Sequence, residues 1–162
     1  MKAIFLDIDG VLNCKKTPNP RKLPYIDPHL LKHLETVLER TGARVVLSST
    51  WRYDPAGLFS ARHCGIPFVG VTPDLPKQPR RNEVLSWLKD HPDVNRYAVI
   101  DDEDDELDDL PLFPPSAKTG LTPEIATGVA DYLEGKTDRD LRCVRMTRIF
   151  QNIYASLRQH QG

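Results

Sequence analysis

Lys2-Ala3-Ile4-Phe5-Leu6-Asp7-Ile8-Asp9-Gly10 is the stretch that decides the fold of this chain. An apolar run this short, ended by Asp and Gly, predicts a buried strand that stops at a turn. Side chains alternate along an extended backbone, so Asp7 and Asp9 leave the strand end pointing the same way. Gly10 then lets the chain turn sharply away without a steric penalty. Two carboxylates at one spot repel each other unless a cation or a proton lies between them. At ~4 Å and an effective dielectric of ~20 the repulsion is on the order of 4 kcal/mol. The pair therefore calls for a hard divalent cation such as Mg²⁺. One Asp could attack a phosphorus while the other handles protons.

Strands and helices alternate from there on. The prolines at 18, 20 and 24 rule out a regular helix before Asp27, so Leu12 to Asp27 reads as a long loop. Asp27-Pro28 has the form of an N-cap followed by proline at the first helical position. Leu30, Leu31, Leu34, Val37 and Leu38 then recur at helical spacing until Gly42. Arg44 to Leu47 predicts a second buried strand, running into Ser48-Ser49-Thr50-Trp51-Arg52. A helix over Pro55 to His63, a third strand over Ile66 to Val69 and a helix over Arg81 to Lys89 follow. A fourth strand, Tyr97 to Ile100, enters Asp101-Asp102-Glu103-Asp104-Asp105, and Thr122 to Leu133 is a last helix.

This alternation predicts an α/β fold: a three-layer, Rossmann-like parallel sheet with right-handed crossovers. Ligands of such sheets sit outside the carboxyl ends of the strands, near a topological switch point. Parallel strands would bring Asp7/Asp9, Ser48/Ser49 and Asp101/Asp102 to one edge. That convergence says more than any single motif.

The bulk properties exclude several classes. The 162 residues suit one domain, and the net charge of −1 points to neither nucleic acid nor an anionic membrane. No apolar stretch is long enough to span a bilayer, and no signal-peptide core precedes the first strand. Cys14, Cys64 and Cys143 are odd in number and far apart, which fits a reducing cytoplasm rather than a disulfide framework. The five histidines show no metal-ligand spacing, and Trp51 and Trp87 read as core. Charge is uneven, with eight acidic residues between Asp101 and Asp109 and five Arg against two Asp from Thr137 to Gly162. Residues 136–162 form a separate extension, expected to be an amphipathic helix with an Arg stripe (Arg139, Arg142, Arg145, Arg148), beyond a catalytic unit of residues 1–135.

The segments FLDIDGVLN, VVLSSTWR, a basic residue before NEVLSWL, and VIDDEDD together resemble the haloacid dehalogenase (HAD) superfamily of phosphotransferases, in its order, over residues 1 to about 135. The strings TGARVVLSSTWR and KTGLTPEIA are similar to the HAD domain of the Swiss Army Knife RNA repair proteins. The resemblance implies a Mg²⁺-dependent phosphomonoester hydrolase. In it Asp7 would form an aspartyl-phosphate, and Asp9 would protonate the leaving oxygen and then activate water. Ser48 would bind a phosphoryl oxygen, with Ser49 in reserve. The neutralising cation would be one of Lys77, Arg80 and Arg81; counting back from Trp87-Leu88 favours Arg80, which can grip phosphate bidentately. Asp102 would ligate the metal together with Asp7 and with Asp9, whose backbone carbonyl would face it, supported by Asp101 and Asp105. The rest of the acidic run reads as a solvated face.

Many members of that superfamily carry a domain-sized cap, and this chain has no insertion of that size. The Asn13 to Tyr25 loop is the only cover in sight. So open a site suits a phosphate on a large partner, such as a nucleic-acid end, and Lys15, Lys16, Arg21 and Lys22 could touch a polyanion. The competing expectations are a small-molecule phosphomonoesterase and a non-catalytic phosphate-binding regulatory module. Nothing in the sequence states the oligomeric state.

Overall fold

The computed structural model describes residues 1–18 and 25–137. Arg21, Lys22 and the C-terminal extension beyond Thr137 lie outside the described residues. Four parallel strands are present: β1 (Lys2–Leu6), β2 (Arg44–Leu47), β3 (Phe68–Val71) and β4 (Arg96–Ile100), in the order β3-β2-β1-β4. The helices are α1 (Pro28–Thr41), α2 (Pro55–His63), α3 (Arg80–Asp90) and α4 (Pro123–Leu133), with 3₁₀ turns at Thr50–Tyr53 and Leu107–Asp109.

The period of two along each strand builds the layers. Ile4, Leu6, Val45, Leu47, Ala98 and Ile100 face a core shared with α1 and α4, whose helices pack together. Phe5, Val46 and Val99 face the opposite way, onto Val84 and Trp87 of α3 and onto Leu107, Leu110 and Leu112. The sheet is thus apolar on both faces and covered on both, as a parallel sheet requires. The α/β, Rossmann-like expectation is met.

The first helix begins as its sequence dictates. The Asp27 carboxylate accepts from the His29 N–H, Pro28 opens the helix, and Gly42 closes it in the left-handed region at φ 64°. One strand differs from expectation. Ile66 is buried, but its N–H closes α2 by donating to the Ala61 carbonyl at 3.1 Å, so β3 starts two residues later, at Phe68. A register shift between Val45 and Val46 then aligns Gly70 and Val71 with the end of β2. Apolarity alone could not separate a buried helix terminus from a strand start.

The strand order places a switch point between β1 and β4: the chain moves outward from β1 to β2 to β3, then returns across β1 to β4. The crevice at the carboxyl ends of β1 and β4 is where ligands bind in sheets of this kind.

Candidate active site

The alternation that sorts the core also assembles the site. Asp7 lies two residues beyond Phe5, and Asp101 two beyond Val99, so both continue onto the α3 side of the sheet. Their strands are joined there, the Asp7 N–H donating to the Ile100 carbonyl at 3.0 Å. Oxygens of Asp7, Asp101 and Asp102 all lie within 4.8 Å of one another. Arg80, in the first turn of α3, meets them. Its Nη1 is 3.5 Å from Asp7 Oδ1 and hydrogen-bonds Asp101 Oδ2. Asp101 is fully buried and also accepts from the Glu103 N–H at 3.0 Å.

Electrostatics show what this crowding costs. Burial, and then the charge of Asp101, push the Asp7 carboxyl up from 3.8 to about 7, with Arg80, the Ser49 hydroxyl and the Ile8 backbone acting in opposition. Burial raises Asp101 and Asp102 as well. For Arg80, burial alone would weaken the charged form, but the charges of Asp101 and Asp7 hold it above the usual arginine value. Three carboxylates against one guanidinium leave an excess of buried negative charge. A hard divalent cation with oxygen ligands fits that excess.

Gly10 fits the same geometry. At φ 75° it makes the expected turn, and a Cβ there would lie 2.2 Å from the Asp102 carboxyl. The glycine thus supplies room for Asp102 as well as backbone freedom.

Asp9 stands apart from the three-carboxylate group, on the exposed side of the site. Its Oδ1 accepts from Asn13 Nδ2 and its Oδ2 from Trp51 Nε1, each at 2.8 Å. A period of two ends where the strand ends, and the turn through Gly10 redirects this carboxylate. The metal ligands expected from sequence were the carboxylates of Asp7 and Asp102 and the backbone carbonyl of Asp9; the structure brings the two carboxylates together and adds that of Asp101.

The serine pair divides its labour. Both are fully buried. Ser49 is hydrogen-bonded to the Asp7 carboxyl and also caps the 3₁₀ turn, accepting weakly from the Trp51 N–H at 3.4 Å. The Ser48 hydroxyl has no hydrogen-bond partner among the described residues. Among the three basic candidates, Arg80 is the one at the carboxylates. Arg81 pairs with Asp109 at the surface (Nη2–Oδ2 2.6 Å), and Lys77 is exposed. Asp105 does not join the carboxylate group; it accepts the Arg80 backbone N–H at 2.9 Å and so caps α3, where Pro79 has no side chain to offer. Asp105, expected to support Asp102, and Asp109, expected on a solvated face, thus take structural jobs.

Sequence reasoning missed two supports. Trp51, expected in the core, packs against it but aims its indole N–H at Asp9. Arg52 is buried, and its Nη1 donates to the carbonyls of Ser48 (2.5 Å) and Ser49 (2.9 Å) while its Nη2 pairs with Glu83 of α3. Glu83 sits one turn after Arg80, so this ion pair ties the serine loop to the helix that carries the cation. The quoted string SSTWR held both residues, but no local pattern reveals partners 42 and 31 positions away.

A doubly wound α/β domain with a buried carboxylate cluster at its switch point defines the class. The chain belongs to the family described as the HAD domain in Swiss Army Knife RNA repair proteins, whose family model matches residues 3–126. No curated protein and no solved structure matches it. Among the described residues no helix is long and apolar enough to cross a membrane.

Proposed function

We propose that this protein is a Mg²⁺-dependent phosphatase that acts through an aspartyl-phosphate on Asp7, on a terminal phosphate of a nucleic acid. The observation that carries the reading is a buried carboxylate, Asp7, held beside Arg80, Ser49, Asp101 and Asp102 at the end of the central strand. The family's printed description, an RNA repair setting, supports the substrate class.

Asp7, Asp101 and Asp102 would hold the cation, which when bound supplies positive charge to the phosphoryl oxygens. The chain's own residues do the rest. Arg80 neutralises an equatorial oxygen and Ser49 donates to another. The Asp7 carboxylate attacks phosphorus, the bond to the leaving oxygen breaks, and Asp9 gives that oxygen its proton. Asp9 then takes a proton from the water that attacks the acyl-phosphate, which releases inorganic phosphate and restores Asp7. Asn13 and Trp51 fix where Asp9 delivers and collects that proton.

The test is turnover of phosphorylated oligonucleotides, mononucleotides and sugar phosphates with Mg²⁺ and with EDTA, in wild type and Asp7→Asn. Metal-dependent release of phosphate that falls by several orders of magnitude in the variant is expected. Activity surviving both EDTA and Asp7→Asn rejects the mechanism. A strong preference for one small phosphometabolite returns the assignment to a small-molecule phosphomonoesterase.

A further inference from the structure

The open cavity over Asp7 has a volume of about 450 Å³, and its lining among the described residues is unbalanced: Asp7, Asp9, Asp102 and Glu103 face two cations, Arg80 and Lys15. Arg80 is committed to Asp101 and Asp7. The Lys15 ammonium carries no ion pair among the described residues, although acids line the same cavity.

Its backbone, by contrast, is fixed. The Lys15 N–H donates to the Ala117 carbonyl at 3.0 Å, and Ala117 lines the cavity too. The Thr17 hydroxyl accepts from the Cys14 N–H and donates to Asp27, each at 3.0 Å, which anchors the turn to the cap of α1. A Cβ on Gly120, at φ 66°, would lie 2.5 Å from Leu30 Cδ1 and 2.8 Å from the Val11 carbonyl, so glycine lets the 116–120 loop close against α1 and the chain leading into this turn. Lys16, the next residue, is equally exposed but does not line the cavity. A cation on a rigid base, at the rim of a site whose own phosphate already has Arg80, is placed for a different anion.

We propose that Lys15 is a specificity residue that binds a second phosphate of the substrate, the internucleotide phosphodiester next to the terminal phosphomonoester. This rests on the phosphatase reading above. It accounts for how a site over which the described residues place no domain-sized cap gains binding energy: the remote phosphate supplies it through a charge-assisted contact.

The experiment compares kcat/KM for a terminally phosphorylated dinucleotide, the matching mononucleotide and a nucleoside 3′,5′-bisphosphate in wild type, Lys15→Gln and Lys16→Gln. Wild type favours the dinucleotide over the mononucleotide; Lys15→Gln lowers that ratio about fivefold, and Lys16→Gln leaves it unchanged. In parallel, fluorescence anisotropy follows a phosphorylated oligonucleotide binding to Asp7→Asn protein with and without Lys15→Gln. The log–log salt dependence should flatten by about 0.7 when Lys15 is removed, the single-strand value for one phosphate contact. Equal loss on all three substrates, loss confined to the bisphosphate, or an effect of Lys16→Gln as large as that of Lys15→Gln overturns the proposal. If wild type turns over no phosphate ester, the phosphatase reading has failed, and the binding arm still decides Lys15.

Discussion

Asp7→Asn should make the metal-free protein more stable while it destroys turnover, and the gain should depend on pH. Asp7 is 5% exposed, and its carboxyl stands at about 7 in the folded chain against an ordinary 3.8. A group whose folded value is raised favours folding fully below its unfolded value and loses that contribution as pH rises through the folded value. Wild-type stability in EDTA should therefore fall between about pH 4 and pH 7 as Asp7 is forced to ionise beside Asp101. Raising a carboxyl from 3.8 to about 7 corresponds to about 4 kcal/mol at ~1.36 kcal/mol per pH unit. Asparagine has the shape of the neutral carboxyl and never ionises, so it escapes that loss. The variant should match wild type near pH 4, pull ahead through pH 5 to 7, and level off about 4 kcal/mol ahead above pH 8. Urea unfolding in EDTA at pH 4, 6 and 8.5 measures this. Mg²⁺ should stabilise wild type at pH 8.5 with the logarithm of its concentration once above Kd and should do less for the variant. A gain independent of pH, or none at pH 8.5, would refute the view that buried like charge at Asp7 is what the cation relieves.

Three further outcomes follow from the contacts around that carboxylate. Trp51→Phe keeps an aromatic ring, though a smaller one, but removes the 2.8 Å donor to Asp9, so kcat on an alkyl phosphate should drop about tenfold, and less on an aryl phosphate whose leaving group needs no proton. Arg52→Met leaves buried Glu83 without its cation, with the Tyr53 hydroxyl and Leu75 N–H as remaining donors, and frees the carbonyls of Ser48 and Ser49; denaturation should show a loss of about 3 kcal/mol. Gly10→Ala forces a Cβ onto the Asp102 carboxyl, so Mg²⁺ affinity measured by calorimetry should weaken at least tenfold, with unaltered affinity as the contrary result.

Much of the frame was legible because local chemistry and global topology agree. The strand before Asp7, the Asp27-Pro28 start and Gly42 stop of α1, and the run Thr122-Pro123 at α4 each carry their own signal in adjacent residues. Their alternation then implies a parallel sheet, and a parallel sheet implies that Asp7, Ser48-Ser49 and Asp101-Asp102 share one edge. Sequence order also made Arg80 the favoured cation, because helical spacing from Trp87 and Leu88 marks where α3 begins.

What the sequence could not decide is where a side chain points once regular structure ends. Asp9 sits past the strand, where Gly10 breaks the period of two, and tertiary contacts with Asn13 and Trp51 set its direction. Ser49 rather than Ser48 reaches Asp7 because the chain has already turned into a 3₁₀ helix that Ser49 caps. The buried pair of Arg52 and Glu83 joins residues 31 positions apart, a link that exists only after α3 docks on the sheet. Asp101 shows the same limit: adjacent to Asp102 and identical in type, it is fully buried and bonded to Arg80 while its neighbour is half-buried and faces Gly10. Local pattern determined which residues stand at the strand ends, because periodicity is a property of neighbours along the chain. Burial and charge pairing determined what each of them does there, because both depend on what other elements bring within a few ångströms.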